Sequence, residues 1–302
     1  MVKVCLKQFP KGSISYQKSD GFFLHPILKA QLDILLKNIK NDWDFTIIIT
    51  GGGEVRVGKS VLAMQIGAYW TYEIRRLYGK KCPWGIKTNF VFQGDRLIKE
   101  GNNLGTKYPY SALIFDEAGA DLEGRKIMQS TTQDVLDFLR ECGQYNLLNI
   151  IVMPEYFDLP KSIALSRSIF LIDVTYESDA EGMFLRGYFN FYSRPNKKML
   201  YLKGKRDLNY KAWKGDFRGT FNNFFTVNEK EYREIKQEML LRRGVKRRNK
   251  FQMQRDACWF LLSKEFGLTY GKISERTEQL TGIYTAKATI CDGVRHFLME
   301  NE

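Results

Sequence analysis

The sequence predicts an α/β protein: a mostly parallel sheet between helices, followed by appended antiparallel hairpins and a small C-terminal helical domain. Three observations predict this class. Residues 1 to about 174 alternate short apolar runs with helical patterns, which is typical of βα units. From 175 to about 227, aromatic and charged residues alternate, as in antiparallel strands. The last fifty residues form a separate helical pattern.

The elements of the first region follow one another in a clear order. An amphipathic helix is expected over 26–40, and it leads into a strand at 45–50 that is apolar on both faces, as a buried parallel strand is. A glycine-rich loop then opens a long helix at 60–78. Further strands are expected at 87–92, 112–115, 149–153 and 169–174, and a further helix at 132–142.

The second half of the chain changes character twice. The pattern at 184–192, and the apolar run at 199–202 after it, are interpreted as strands of appended hairpins. A charged helical stretch is then interpreted as a basic linker, and three short helices follow it. The predicted domains are therefore 1–227, 228–250 and 251–302.

The loop after the first strand carries the strongest motif. Gly53, Gly58, Lys59 and Ser60 meet the spacing GxxxxGK[ST] in full, and a chance match would occur in roughly one such chain in a hundred. Backbone N–H groups of such a loop converge on phosphates at a helix N-terminus. The sequence therefore predicts a P-loop NTPase core that binds ATP and Mg²⁺. The expected nucleotide-binding residues are Gly53, Glu54, Val55, Arg56, Val57, Gly58, Lys59, Ser60 and Val61, with the Ser60 hydroxyl on Mg²⁺.

A pair of carboxylates ends the strand predicted at 112–115. Asp116 is expected to hold Mg²⁺ through water, and Glu117 is expected to polarise the attacking water as a general base. An ordinary strand with a solvated acidic turn is the alternative. The strand expected at 87–92 lies between the loop and this pair in the sequence. That order is typical of ATPases with an additional strand and a catalytic glutamate.

The segment from Asp116 to Leu122 resembles the acidic motif of HerA/FtsK-type DNA-pumping ATPases, a group whose core viral genome-packaging ATPases share. The resemblance covers about 45–175. It implies a ring of several copies and an arginine that acts in trans, for which Arg140 and Arg167 are candidates; each has a surface or structural role as its alternative. The family typically has Gln at the tip of the next strand, where this chain has Met153-Pro154-Glu155.

The charge balance favours a polyanionic partner. The chain has 47 Lys and Arg against 34 Asp and Glu, a net charge of +13, although a basic enzyme indifferent to nucleic acid would share it. Basic residues with interleaved aromatics are dense over 193–218, where a solvated hairpin face is the alternative reading. The C-terminal helices resemble a helix-turn-helix unit, or else a protein-interaction tail. The expected DNA contacts are Lys203, Lys205, Arg206, Arg247, Arg248, Thr285 and Lys287.

Three functions compete at this point. The first is a motor that uses ATP to translocate or package double-stranded DNA. The second is an ATP-controlled initiator or loader that reads a site with its C-terminal helices, and the third is an enzyme unrelated to DNA. Five scattered cysteines without CxxC spacing, no membrane-length apolar run and no signal-peptide pattern predict a soluble cytoplasmic protein, in a host cytoplasm if the chain is viral.

Overall fold

The computed structural model describes residues 21–54, 56–118, 122, 130–244 and 250–301. The chain divides into two compact units, one that ends at Lys236 and one that begins at Gln237. The helix predicted as a linker begins at Glu229, so its first two turns belong to the first unit.

The first unit is built on a mixed sheet, which has seven strands within the described ranges. The strands are β1 (Phe45–Thr50), β2 (Phe90–Val91), β3 (Ala112–Phe115), β4 (Leu148–Val152), β5 (Phe170–Ser178), β6 (Phe184–Tyr192) and β7 (Phe217–Thr220). Their spatial order is β2-β3-β4-β1-β5-β6-β7. The five strands β2, β3, β4, β1 and β5 pair in parallel with their neighbours. Strands β6 and β7 extend the β5 edge with antiparallel pairs.

Helices cover both faces of this sheet. They are α1 (Pro26–Asn38), α2 (Lys59–Tyr78), α3 (Ile86–Asn89), α4 (Gly94–Lys107), α5 (Ser130–Glu141), α6 (Arg194–Gly204) and α7 (Glu229–Gly244), with a π-helical segment at Ser162–Arg167. Helix α2 packs on β1, β3 and β4. Helices α4, α5 and α6 share one buried apolar cluster with alternate residues of the central strands, such as Ile48 and Ile151. Both faces of the central strands are therefore buried, which explains their continuous apolar runs.

Strand β1 lies at the centre of the sheet. All six of its residues are buried, and Ile47 pairs with Ile150 of β4 on one side and with Phe170 of β5 on the other. Strand β4 separates β1 from β3. The loop between β1 and α2, called the phosphate loop below for its sequence motif, therefore lies at the carboxyl edge of the parallel strands. The turn of Asp116 and Glu117 after β3, called the acidic turn below, lies at the same edge, which is the usual position of a ligand site.

The strand expected at 87–92 is much shorter than predicted. Residues 86–89 form one helical turn, and only Phe90 and Val91 pair with β3. The Asn89 side chain explains the turn, because its oxygen accepts the N–H of Gly85 and its amide donates to the Ala112 carbonyl. A side chain that bonds its own backbone competes with strand pairing.

The strand predicted at 199–202 is wrong, since these residues lie in helix α6. Pro195 stands in the first turn, where its fixed φ favours a helix. Lys197, Leu200, Tyr201 and Gly204 are buried at helical spacing. Helix α4 has no counterpart among the predicted elements.

Beyond the end of α7, the described residues of the second unit form the helices α8 (Lys250–Phe260), α9 (Tyr270–Thr281) and α10 (Lys287–Asn301), with a π-helical segment at Leu261–Glu265. A small core of Trp259, Ile273, Ile290 and Val294 holds them together. None of the helices in the described parts of the chain is long and apolar enough to cross a membrane.

Candidate functional site

The loop between β1 and α2 has the backbone geometry of an anion cradle. Gly52, Gly53 and Gly58 have φ values of 55°, 80° and 107°, which favour glycine because a side chain there is strained. Arg56 also has a positive φ, of 60°. Gly58 caps α2, whose first residue is Lys59, so the loop ends at the positive end of a 20-residue helix. Val55 lies outside the described residues.

The loop is attached to the end of the neighbouring strand. The N–H groups of Gly51 and Gly53 donate to the carbonyl of Pro154, at 3.4 and 3.0 Å, and the Glu54 N–H donates to the Gly51 carbonyl at 2.7 Å. Pro154 follows β4 by two residues, so the strand between β1 and β3 also supports the phosphate loop. The fold thereby fixes the loop relative to the acidic turn.

The side chains of the loop divide into two groups. Those of Val57 and Val61 are buried in the core, so these residues can contribute only backbone groups to a ligand. Lys59 Nζ donates to the Glu54 carbonyl within the loop. Burial lowers the pKa of Lys59, and the nearby Glu117 carboxylate partly offsets this effect. The ammonium thus lies within the loop, near enough to Glu117 for the two charges to interact.

The acidic turn meets the start of α2 directly. Ser60 Oγ donates to Asp116 Oδ1 at 3.0 Å, and the Asp116 carboxylate is almost completely buried. Glu117 follows with a φ of 62°, and its N–H donates to Asp116 Oδ1 at 3.1 Å. A non-glycine residue in this left-handed conformation is uncommon and occurs often at functional sites. The Glu117 side chain is 34% exposed, whereas that of Asp116 is 1% exposed.

The oxygen atoms of Ser60 and Asp116 fit a magnesium ion. A hydroxyl and a carboxylate are hard oxygen ligands, and Mg²⁺ is usually held by one or two carboxylates together with phosphates and water. Within the described ranges, no group of three or more His, Cys, Asp or Glu side chains is placed to hold a metal. Magnesium at this position would therefore depend on the phosphates of a bound nucleotide.

Two further residues, which sequence reasoning missed, contact the acidic turn from α7. Tyr232 Oη donates to Asp116 Oδ2 at 2.5 Å. Lys236 Nζ lies 2.6 Å from Glu117 Oε1 and 3.5 Å from Asp116 Oδ2. Burial alone would lower the pKa of Lys236, but Asp116, Tyr232 and Glu117 together raise it above its usual value. The only sequence signal for this pair is its i,i+4 spacing.

A second acidic cluster lies on the other side of the phosphate loop. Tyr210 Oη donates to Glu155 Oε1 at 2.6 Å, and the other Glu155 oxygen faces Gly53. Asp173, in the amino-terminal half of β5 and beside the last residue of β1, accepts a hydrogen bond from Thr50 at 3.5 Å. Burial, followed by the Glu155 charge, raises the pKa of Asp173 to about 7. Burial also raises the pKa of Glu155. Glu155 thus stands beside the loop, at the strand tip where the resemblance places a Gln.

The two candidate arginines have different surroundings. Arg167 is mostly buried, and it donates to the Asp44 carboxylate and to the Leu139 carbonyl, contacts that fix the π-helical segment to α5 and to the start of β1. Arg140 is about half exposed and pairs with Asp137 one turn earlier on α5, at 2.9 Å. An arginine that acts on another copy must be exposed, so these contacts favour Arg140 over Arg167 for the trans-acting role, which stays a prediction.

The predicted DNA contacts lie in both units. Lys203, Lys205 and Arg206 are exposed near the end of α6; the Lys203 ammonium stacks on Trp213, and Lys205 donates to the Tyr201 hydroxyl. In the second unit, Lys287 is the first residue of α10 and is exposed, whereas Thr285 is half-buried and its carbonyl accepts a hydrogen bond from Ser274. Arg247 and Arg248 lie outside the described residues.

One basic residue of the 193–218 segment does not contribute to the surface. Lys197 is fully buried, and its ammonium donates to the carbonyls of Ala164 and Leu165 at 2.5 and 3.2 Å. Burial lowers the pKa of Lys197 to about 7. Lys197 therefore satisfies carbonyls of the π-helical segment, and the basic surface of α6 depends on its other residues.

Comparison with protein-family models gives no match, and no curated protein matches the chain. Among solved structures, the genome packaging NTPase B204 from Sulfolobus turreted icosahedral virus 2, in complex with AMPPCP, is 14% identical with a TM-score of 0.33, over 51% of this chain and 94% of that chain. The N-terminal domain of zonular occludens toxin from Neisseria meningitidis is 14% identical with a TM-score of 0.35, over 63% and 98%. A KaiC-like protein from Pyrococcus horikoshii OT3 is 11% identical with a TM-score of 0.32, over 50% and 79%.

Proposed function

We propose that the chain is an ATP-hydrolysing motor that translocates or packages double-stranded DNA as a ring of several copies. The observation that carries the proposal is the 3.0 Å contact of Ser60 with Asp116, which joins the phosphate loop and the acidic turn into one site. A motif match alone would leave these two segments unconnected. Their contact across the edge of β4 supports a single nucleotide site that contains the phosphate loop, Asp116 and Glu117.

The residues of this site divide the work of hydrolysis. Backbone N–H groups of the loop and the Lys59 ammonium bind the β- and γ-phosphates, while Ser60 and Asp116 would hold Mg²⁺. When bound, this ion neutralises charge on the phosphates. Glu117, on its left-handed turn, orients and deprotonates the attacking water as a general base, a role that contributes typically 10²- to 10⁴-fold to the rate.

The exposed basic residues at the end of α6 support DNA as the partner. Lys203, Lys205 and Arg206 present positive charge at the surface. Contacts of Lys and Arg with phosphate position a duplex but carry no sequence information. A motor that moves along any duplex needs contacts of this kind.

The runner-up function is an ATP-controlled initiator or loader. The observation that favours it is the three-helix second unit, where Thr269 caps α9 and Lys287 lies exposed at the start of α10. An initiator would protect a defined site and hydrolyse ATP slowly.

The rate of ATP hydrolysis with and without long duplexes of unrelated sequence tests the motor. We expect every duplex to stimulate hydrolysis many-fold. A Lys203→Ala/Lys205→Ala variant should need more DNA for half-maximal stimulation. Its plot of log affinity for DNA against log salt concentration should be shallower by up to about two units of slope. The matched control, Lys99→Ala/Lys107→Ala, removes two exposed lysines of α4 and should behave as the wild type. Stimulation by one sequence only would favour the initiator, and no stimulation by any duplex would contradict both.

A further inference from the structure

Helix α7 brings an aromatic hydroxyl and an ammonium onto the two carboxylates of the site. Tyr232 and Lys236 are one turn apart on the same face of the helix, as i,i+4 residues are. Tyr232 Oη contacts Asp116 Oδ2 at 2.5 Å, and Lys236 Nζ contacts Glu117 Oε1 at 2.6 Å. Both residues that the proposed function assigns to magnesium and water are therefore engaged by one helix.

The start of α7 is held in place by its own contacts with the rest of the first unit. The Thr226 hydroxyl donates to the Met64 carbonyl of α2 at 3.1 Å, close to the phosphate loop in sequence. The Tyr232 ring packs against Phe90, Phe92 and Phe225, with ring centroids 6.0 to 6.3 Å apart. Asn228 caps the helix, because its side-chain oxygen accepts the Glu231 N–H. Packing thus holds the Tyr232 hydroxyl against Asp116.

The atoms that α7 contacts are the ones a magnesium ion would require. Asp116 Oδ1 accepts from Ser60 and Asp116 Oδ2 accepts from Tyr232, so both oxygens of this buried carboxylate have hydrogen-bond donors. The Lys236 ammonium stands 3.5 Å from Asp116, where it repels any second cation.

We propose that Tyr232 and Lys236 compete with magnesium for Asp116, and so set the magnesium concentration at which the site accepts nucleotide. The proposal rests on the nucleotide-binding part of the proposed function. In this arrangement Lys236 neutralises the acidic pair until a divalent cation and phosphates replace it. Lys236 also holds the Glu117 carboxylate in an ion pair, so the general base is available only after the exchange. Both are positioning residues that act through the carboxylates.

The test measures the Mg²⁺ concentration that gives half-maximal binding of a fluorescent, non-hydrolysable ATP analogue to the full chain. Lys236→Gln removes the competing cation and keeps most of the side-chain length, so the required concentration should fall by roughly three- to tenfold. Lys236→Arg keeps the charge and should restore the wild-type requirement. Tyr232→Phe keeps the ring packing, loses the hydroxyl, and should shift the requirement in the same direction as Lys236→Gln.

The matched control is Lys230→Gln, on the exposed side of the same helix, where Lys230 lies 4.0 Å from Glu234. This variant should leave the magnesium requirement unchanged. Thermal unfolding midpoints of all variants separate a loss of folding from a change at the site. The proposal is supported if Lys236→Gln needs less Mg²⁺ for half-maximal nucleotide binding and keeps a cooperative unfolding transition.

Two results would overturn it. The first is an unchanged magnesium requirement in a folded Lys236→Gln protein that still binds the analogue, because α7 would then pack on the site without competing with magnesium. If Lys236→Gln weakens nucleotide binding at saturating Mg²⁺, Lys236 acts on the phosphates themselves. Failure of the proposed function gives a different picture, since the wild type would then show no magnesium-dependent nucleotide binding at all.

Discussion

Lys59 is the residue whose side chain links the phosphate loop to the acidic turn. Its ammonium donates to the Glu54 carbonyl within the loop, and the negative charge of Glu117 raises the pKa of Lys59 against the effect of burial. We expect Lys59→Ala to abolish measurable ATP binding, because the β- and γ-phosphates lose the ammonium that the motif places on them. Equilibrium binding of a fluorescent ATP analogue checks this. Near-normal affinity in a folded Lys59→Ala protein would show that the loop does not bind phosphate.

Asp173 makes the stability of the fold depend on pH. Its pKa in the folded protein is about 7, against an ordinary value of 3.8, so between these pH values the folded state retains a proton that the unfolded chain releases. The free energy of unfolding should therefore fall as the pH rises from 3.8 to about 7. Asp173→Asn removes this charge and keeps an acceptor for Thr50. We expect the variant to be more stable than the wild type at pH 8 by roughly 1–3 kcal/mol, with a gain that shrinks towards pH 5.

Chemical denaturation at pH 5, 6, 7 and 8 measures this difference. The control is Asp137→Asn, which changes an exposed carboxylate of α5. A constant difference between Asp173→Asn and the wild type at all four pH values would contradict the prediction.

The sequence predicts the central strands well and helix α4 not at all, and the packing of each element explains the difference. Strands β1, β3, β4 and β5 lie close to their predicted positions, because burial on both faces produces continuous apolar runs. Helix α4 escapes prediction because it contains Gly101 and Gly105, which weaken a helix by propensity and are present because aromatic rings pack on them. The run at 199–202 shows the reverse failure, since four apolar residues fit a strand and a helix equally well.

The contact of α4 with α5 gives a prediction at the element scale. A Cβ atom on Gly101 would lie 2.3 Å from Cζ of Phe138. Gly101→Ala should therefore destabilise the protein by about 1–3 kcal/mol, although alanine is the better helix former. Urea denaturation measures the loss. Gly85→Ala is the control, because a Cβ there has no heavy atom within 4 Å; equal stability of both variants would mean that the two helices do not pack closely.

At the scale of the whole molecule, the site is assembled from segments that are far apart in the chain. The phosphate loop and the acidic pair carry local motifs, so Lys59, Ser60, Asp116 and Glu117 are predictable from sequence. Tyr232 reaches Asp116 across 116 residues, and no local pattern reports such a contact. Charge counts also mislead without the fold, as the buried Lys197 shows.

The central claim is that the loop and the acidic turn form one site for magnesium and ATP, with Glu117 as the base. The most direct test is steady-state ATP hydrolysis by the wild type and by Glu117→Gln at saturating Mg²⁺, with nucleotide binding measured on the same samples. We predict that Glu117→Gln binds ATP with near wild-type affinity and hydrolyses it roughly 100-fold more slowly or worse. Hydrolysis by Glu117→Gln at the wild-type rate, or a wild type that neither binds nor hydrolyses ATP, would contradict the account.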